Sequence, residues 1–449
     1  MAKRNKKHAR RLRNLVMVCT LCAVVLTVST YAWFIGMKTV NVSSFEIDIA
    51  TTEGLFLSMN GVDWSYKLDA KNATPYTGNT NSWADGPKEG LIPMSTVGDM
   101  DDTVSRMKLY EKASLTTTPG GFRLLTSRVD NYSTVGTGSN AKLAEGKGYV
   151  VFDLFVKNLS GEHYYEENKE ANEEAIYLTI DSAVKVAEGG VENTGIENSI
   201  RVAFTQIGRV KADTGKDDAA AITGITCGGG TIGGIKVTGI CRDAQIWEPN
   251  DKAHVNNAIS WYDTACATRK STGTDVTKKD SYNIATGSDD KTHCTKVESG
   301  TSYDTYAISK VIEINDNVDV YDGLAYNTYT ANSMSYDDYV DAGKTGAKLV
   351  NFPYFKDSDK ILTGTARPTF MTLAPNSITK LRVYIYLEGQ DIDNYDFASL
   401  GKKISVNFGF TKERFTENDI EYVGPNTGTV TPNDEAITPS DEVVTPSGE

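Results

Sequence analysis

Hydrophobic and polar residues alternate with a period of two over residues 45–49, where apolar side chains are separated by single acidic ones. Such alternation is typical of a β-strand that buries one face. The pattern returns over residues 55–59, and Asn60 with Gly61 then forms a dipeptide typical of tight turns. The sequence therefore predicts two strands near the start of the chain.

Further strand-like segments are spread over the rest of the chain, with turn-rich segments between them. They are residues 149–157, 175–180, 200–207, 305–314, 381–387 and 403–410. Helical patterns are short and are confined to residues 103–113 and 396–400. This distribution favours an all-β fold, and we expect an antiparallel, jelly-roll-like β-sandwich over residues 33–423.

The N-terminal region has the charge pattern of an export signal. Seven basic residues and no acidic one precede an uncharged stretch over residues 15–37. The positive charges would hold the first residues in the cytoplasm while the rest of the chain crosses the membrane. We expect either a signal peptide of residues 1–32, cleaved after Ala32, or a retained membrane anchor. Both alternatives place the remaining chain outside the cell or at its surface.

The charge of the exported part restricts its partners. The whole chain has a formal net charge of −13, which becomes about −20 without the seven N-terminal basic residues. A protein this acidic repels nucleic acid and anionic lipid, so nucleic-acid recognition is excluded as a function class.

Catalytic motifs are absent from the sequence. The chain has four histidines, whose spacing neither builds nor excludes a Ser/His or Cys/His arrangement. It lacks the G-x-S-x-G motif and the paired histidines of a zinc protease. We therefore predict that the protein is not an enzyme and holds no cofactor.

Acidic residues after the predicted strand 381–387 are the best candidate for a metal site. These residues are Glu388, Asp391 and Asp393. Loops at strand ends can bring carboxylates together, and Ca²⁺ takes about six to eight oxygen ligands. The alternative is a solvated turn in an acidic surface.

Four cysteines of the exported part lie in one window, at Cys227, Cys241, Cys266 and Cys294. An even number of cysteines in an exported chain suggests disulfides. The simplest of the three possible pairings joins Cys227 to Cys241 and Cys266 to Cys294. Free thiols and a zinc site are the alternatives.

The same window, about residues 208–300, differs in composition from the rest of the chain. Seven glycines fall within residues 221–240, and small or polar residues dominate up to residue 290. This composition is too poor in large apolar side chains to form an independent core. We expect an inserted surface subdomain, held by its cysteines, within a single sandwich.

Trp247 precedes Pro249, and an aromatic residue at the end of a strand can cap the core of a sandwich. The alternative is a ring that stacks on carbohydrate, and the same alternative holds for Trp64, Trp83 and Trp261.

Residues 424–449 contain no lysine or arginine, and a Thr-Pro pair recurs in them every seven residues. This composition predicts an extended, disordered tail. We expect a solvated spacer, with a glycosylated stalk or a partner-binding tail as alternatives.

Two segments near the N-terminus carry a resemblance to a known family. They are residues 29–34, STYAWF, and residues 40–49, VNVSSFEIDI. This arrangement resembles the start of the TasA/camelysin family of exported biofilm-matrix proteins. The resemblance implies maturation by a dedicated signal peptidase and a jelly-roll subunit. It does not extend to the proteolysis assigned to camelysin-like members, because the sequence has no zinc-ligand pair.

In fibre-forming members of that family, an N-terminal strand inserts into the next subunit. Carried onto this chain, the donor segment covers residues 33–49. Its inserted apolar side chains would be Phe34, Val40, Val42, Phe45, Ile47 and Ile49. An inserted strand would satisfy the unpaired backbone groups of an open sheet edge. The alternative is that the strand pairs within its own sheet.

We therefore expect an exported structural protein of the cell envelope or extracellular matrix, which associates with itself or with other envelope proteins. The alternative is a membrane-tethered surface module that binds polysaccharide or a host ligand.

Overall fold

The computed structural model describes residues 40–49, 54–69, 90–111, 132–135, 142–145, 148–161, 163–168, 172–260, 298–303, 305–307, 313–315, 318–319, 350–395, 403–416 and 419. The expectations for residues 1–32, 396–400 and 424–449 lie outside this set. None of the described helices is long and apolar enough to cross a membrane.

The first half of the described chain contributes twelve strands. They are β1 (Asn41–Ile49), β2 (Leu55–Ser58), β3 (Lys67–Asp69), β4 (Pro93–Ser95), β5 (Met100–Asp101), β6 (Arg106–Met107), β7 (Tyr110–Glu111), β8 (Tyr132–Val135), β9 (Lys142–Glu145), β10 (Val150–Asn158), β11 (Glu174–Leu178) and β12 (Ala183–Val186). A 3₁₀ turn, Ile196–Ser199, follows β12.

The second half contributes eleven more described strands. They are β13 (Ile200–Lys211), β14 (Gly230–Ile232), β15 (Ile235–Glu248), β16 (Tyr306–Ala307), β17 (Glu313–Asn315), β18 (Val318–Asp319), β19 (Val350–Asn351), β20 (Phe355–Lys356), β21 (Met371–Leu373), β22 (Ser377–Glu388) and β23 (Lys403–Thr411). Two short α-helices, α1 (Ala219–Thr223) and α2 (Asp357–Lys360), and two 3₁₀ turns, Lys216–Asp218 and Gly364–Ala366, lie between these strands.

Two large sheets contain most of these strands. In the first sheet the strand order is β21-β11-β23-β1-β3, and β12 also pairs with β23. In the second sheet the order is β14-β15-β13-β22-β10-β2, with β4 on β22, β20 on β15 and β7 on β4. Four ribbons of two strands complete the described set, namely β5 with β6, β8 with β9, β16 with β19 and β17 with β18.

The all-β prediction is confirmed, but the two large sheets are mixed rather than purely antiparallel. The longest neighbours, β13 with β22 and β10 with β22, run antiparallel. Among the described pairs, β1 with β23, β15 with β20 and β4 with β22 run parallel. A parallel pair cannot be closed by a hairpin, so its two strands come from distant parts of the chain.

One apolar cluster fills the space between the two large sheets. It contains Phe152 of β10, Val383 of β22 and Phe204 of β13 from the second sheet. Val406 and Phe408 of β23 join it from the first sheet. Each such side chain contributes about 1.5–3 kcal/mol when it is fully buried. This shared cluster makes the two sheets the layers of a sandwich-like core.

The second sheet is covered on its outer face as well. Every residue of β22 is buried, and so is every residue of β13 except Lys211. One cluster on this face includes Met94 of β4, Met107 of β6 and Tyr354, which directly precedes β20. Most residues of the predicted segments 200–207 and 381–387 are apolar, as expected of strands buried on both faces, which explains why β13 and β22 were recognisable in the sequence.

The segment 103–113 is not helical in its described part. A turn over residues 102–105 leads into β6 and β7, which pair with β5 and β4. Met107 and Leu109 are fully buried against the outer face of the second sheet. Tertiary packing therefore overrides the weak helical pattern.

Strands β13, β14 and β15 of the second sheet begin and end the segment 208–248, so the expected insertion does not begin near residue 208. Strand β15 pairs with β13 from Val202 and Trp247 to Arg209 and Thr238. Glycine is needed at residue 239 because a Cβ there would come within 1.9 Å of the Cys227 carbonyl oxygen. Backbone pairing with β13, rather than a core of its own, holds this glycine-rich segment. Residues 261–297 lie outside the described part of the chain.

Cys227 and Cys241 form a disulfide with a Cα–Cα distance of 4.8 Å. This confirms the first of the two predicted pairs. The bond closes a loop with a sequence separation of 14 residues, and a loop of this size gives about 3 kcal/mol of stabilisation. Cys266 and Cys294 lie outside the described residues.

Candidate functional site

The expected assembly strand is β1, and it lies within the first sheet of its own chain. It pairs in parallel with β23 from Asn41 opposite Lys403 to Ile49 opposite Phe410. Its other edge pairs with β3 over Glu46 to Asp48. The strand thus adopts the alternative arrangement, in which it pairs inside its own subunit.

Three of the six expected side chains are buried in the core between the sheets, namely Val40, Val42 and Ile47. Phe34 lies outside the described residues, and the side chains of Phe45 and Ile49 are not described. The buried positions confirm that this strand has an apolar face. Because β1 and β23 come from opposite ends of the chain, no short connection joins them.

The acidic residues after β22 lie beside a buried arginine that sequence reasoning missed. Arg201 in β13 donates from Nη2 to Glu248 Oε1 and to Asp391 Oδ2, both at 2.6 Å. Its Nη1 donates to the backbone oxygens of Asn198 and Ile200 at 3.0 and 3.1 Å. Arg201 thus ties β13 to the end of β15 and to the turn that follows β22.

The sequence did contain a signal for this cluster. Arg201 interrupts the predicted apolar strand 200–207, and a buried charge needs a partner of opposite sign. Neither Glu248 nor Asp391 is near Arg201 in sequence, so only the pairing of β13 with β15 and β22 identifies its partners.

Glu388, the last residue of β22, is fully buried in this region. Its Oε2 accepts hydrogen bonds from Tyr354 Oη at 3.0 Å and from Ser95 Oγ at 3.2 Å. Its Oε1 accepts from the backbone N–H of Gln390 at 2.9 Å. Burial raises the pKa of Glu388 to about 7, although the charge of Arg201 acts in the opposite direction. Near neutral pH this carboxyl group therefore exists in both protonation states.

Asp393 contacts a histidine rather than a metal ion. His254 Nδ1 lies 2.8 Å from Asp393 Oδ2, and its Nε2 lies 3.0 Å from the Thr301 backbone oxygen. With Asp393 ionised, the carboxylate and the carbonyl both accept, and the imidazolium form of His254 satisfies both contacts. Burial alone would lower the pKa of His254, but the hydrogen bond and charge of Asp393 outweigh it and raise that pKa.

The three predicted calcium ligands therefore point to different protein partners. Glu388 faces Tyr354 and Ser95, Asp391 faces Arg201, and Asp393 faces His254. Over the described ranges, no group of three or more His, Cys, Asp or Glu side chains could hold a metal ion. The geometry gives the calcium site no support, and it stays a prediction.

Trp247 has no exposed ring face for carbohydrate. It is fully buried, its Nε1 donates to Asp357 Oδ1 at 3.1 Å, and Lys360 Nζ lies 5.4 Å from the ring centroid. Trp64 is partly buried, with Lys157 Nζ 4.4 Å from the centroid of its ring. Trp83 and Trp261 lie outside the described residues. Carbohydrate stacking on Trp247 is thus contradicted, and Trp247 caps the core.

A cleft of about 290 Å³ opens beside β15, along the side of the sandwich. It is lined by Phe204, Gln206, Arg242, Asp243, Gln245, Thr369, Phe370, Met371 and Thr372. Arg242 also contacts Glu173, with Nη1 to Oε2 at 2.6 Å and Nη2 to Oε1 at 2.8 Å. A volume of this size is near the lower limit for small-molecule sites.

No family model, curated protein or solved structure matches this chain. The features of the fold that bear on function are therefore strand β1, the Arg201 cluster and the cleft.

Proposed function

We propose that the protein is an exported structural protein of the cell envelope or extracellular matrix, and that its copies assemble by exchanging strand β1. The observation that supports this most is the position of β1. It pairs in parallel with β23, lies next to β3 and buries apolar side chains, yet no hairpin connects it to either partner. Export by the N-terminal segment and jelly-roll connectivity are parts of the same proposal.

The position of β1 has to be filled for the fold to be stable, but β1 of another copy can fill it as well as β1 of the same chain. If β1 left, the backbone groups along β23 from Lys403 to Phe410 would lose their partners on that edge. Core contacts of Val40, Val42 and Ile47, each worth about 1.5–3 kcal/mol, would also be lost. A β1 strand from a second copy restores all of these contacts, which is the condition for strand exchange.

Cysteine cross-linking between copies tests this proposal. Glu46 lies opposite Asn407 in the β1–β23 register, and both residues are partly exposed. One tagged copy would carry Glu46→Cys and a second, differently tagged copy would carry Asn407→Cys. Because each copy carries only one of the two cysteines, they come within disulfide distance only if β1 of one copy pairs with β23 of the other. We expect a mixed disulfide dimer under assembly conditions, seen on non-reducing gels.

A matched control replaces Asn407→Cys by Lys185→Cys. Lys185 is exposed on β12, which pairs with the opposite edge of β23, so it lies two strands away from Glu46. This pair should give no mixed dimer. Filaments seen by electron microscopy without cross-linking between positions 46 and 407 would overturn assembly through β1.

The second candidate function is a membrane-tethered module that binds polysaccharide or a host ligand. The cleft beside β15 favours it, because apolar side chains such as Phe204 and Phe370 combine there with Gln245 and Asp243. A glycan array would test it, with the Gln245→Ala and Asp243→Ala variants expected to lose any binding found. Binding that survives both substitutions would exclude this cleft.

A further inference from the structure

Three side chains of complementary chemistry meet where strands of the two large sheets end. Asn158 is the last residue of β10, Lys412 directly follows β23, and Glu174 is the first residue of β11. Glu174 Oε2 accepts from Asn158 Nδ2 at 2.9 Å, and Lys412 Nζ lies 3.1 Å from the same oxygen. The amine and the amide nitrogen are thus at most about 6 Å apart, the two distances laid end to end.

The surroundings hold the amine beside the amide. Lys412 Nζ also donates to the backbone oxygen of Leu159, the residue next to Asn158, at 2.8 Å. Asn158 is fully buried, and its Nδ2 donates to the Ala374 backbone oxygen at 3.0 Å. Within the described residues, its buried Oδ1 has no hydrogen-bond partner. The side chains of Lys412 and Glu174 are each only 20% exposed.

We propose that Lys412 and Asn158 condense to form an isopeptide bond, with Glu174 as the catalytic residue that transfers the protons. The Lys412 ammonium gives a proton to Glu174, and the Nζ lone pair attacks Cγ of Asn158. The Nζ–Cγ bond forms and the Cγ–Nδ2 bond breaks. Two protons pass from Nζ to the departing nitrogen, which leaves as ammonium, and Glu174 returns to its carboxylate form. The step needs no oxidant, reductant or second reactant.

Glu174 starts in the protonation state that this step requires. Burial alone would raise the pKa of Glu174, but hydrogen bonds from Ser160, Asn158 and Lys412 outweigh it and lower that pKa. The ionised carboxylate accepts the first proton. Once protonated, it lies beside Asn158 Nδ2, at 2.9 Å, which is the nitrogen that takes up the protons as it leaves.

The equilibrium and the rate of this step have different physical origins. One amide replaces another, so the bond energies nearly cancel and the departure of ammonium favours the product. Well-oriented groups within one molecule react with effective concentrations that reach about 10⁵–10⁸ M. Burial of the amide also limits competing hydrolysis by water.

The bond would join the two layers of the sandwich covalently. Asn158 ends β10 in the second sheet, and Lys412 continues β23, which is the partner of β1 in the first sheet. A pull on the chain beyond Lys412 would then reach β10 directly instead of peeling β23 from its sheet. The inference rests on the Asn158, Glu174 and Lys412 contacts alone and does not require assembly through β1.

Mass spectrometry of the purified full chain tests the proposal. The denatured protein should be lighter than its sequence by one ammonia, beyond any loss from signal cleavage and disulfides. Trypsin should release a branched product in which residues 158–169 are joined to residues 404–414, with no cleavage after Lys412. Finding residues 158–169 and 404–412 only as separate linear peptides would overturn the proposal.

Two variants separate the chemistry from the ion pair. Lys412→Arg keeps a cation beside Glu174 but removes the amine, so the ammonia loss and the branched peptide should both disappear. Glu174→Gln removes proton transfer, and the branched peptide should fall below a tenth of its wild-type yield. Lys403→Arg, at the exposed opposite end of β23, should leave the yield unchanged. A full yield in Glu174→Gln would overturn the role of Glu174.

Discussion

Glu388 should make the folded protein less stable as the pH rises through neutrality. Burial raises its pKa from 4.5 to about 7 in the folded state. Between these two values the folded chain holds a proton that the unfolded chain releases, so the free energy of unfolding falls with increasing pH. A shift of this size, at about 1.4 kcal/mol per pH unit, corresponds to about 3 kcal/mol.

Glu388→Gln removes this titration while keeping the shape of the side chain. The amide oxygen can still accept from the Gln390 N–H, and the new NH₂ group can donate to the hydroxyl oxygens of Tyr354 and Ser95. We expect the variant to gain up to about 3 kcal/mol over wild type at pH 8. Near pH 4.5, where the wild-type group is already protonated, the two proteins should be nearly equal.

Urea denaturation at a series of pH values from 4.5 to 8 measures this difference directly. Glu188→Gln is the matched control, because Glu188 is exposed and should change stability by less than about 0.5 kcal/mol at every pH. The reasoning would be refuted if Glu388→Gln were less stable than wild type at pH 8. That result would mean that the ionised carboxylate stabilises the fold through Arg201.

Three further predictions concern other parts of the fold. Because the pKa of His254 is raised, its contribution to stability is lost as the pH rises from about 6.5 through the higher folded value. His254→Ala should therefore weaken the pH dependence of the free energy of unfolding in urea above pH 6.5. Replacing Cys227 and Cys241 together by serine should cost about 3 kcal/mol in urea denaturation, with no change in circular dichroism. Arg201→Met should lower the free energy of unfolding by about 3–5 kcal/mol, because it leaves two buried carboxylates without their cation. Lys67→Met removes an exposed ion pair and should lower it by less than about 1 kcal/mol in the same assay.

Sequence reasoning was most accurate for long strands with a strong apolar pattern. The predicted segments 149–157, 200–207, 381–387 and 403–410 correspond to β10, β13, β22 and β23. It was least accurate for segments whose structure depends on which other strand their backbone pairs with. The predicted segment 305–314 has strand only at its two described ends, and the helical pattern at 103–113 became turn and strand.

The candidate site was predictable only in part. The acidic residues after β22 were recognised because they follow a strand end, but their partners were not. His254 comes from the segment after β15 and Arg201 from β13, and neither is near residues 388–393 in sequence. A local pattern carries no information about which distant charge will be buried beside a carboxylate.

The sequence by itself determined the all-β class, the apolar face of β1 and the position of the cysteines that pair. Only the tertiary structure decided that β1 lies parallel to β23, and that β15 belongs to the second sheet rather than to an insertion. The physical reason is that side-chain alternation specifies which face of a strand is buried. The backbone N–H and C=O groups that join neighbouring strands are the same for nearly every residue, so the sequence does not specify which strands pair.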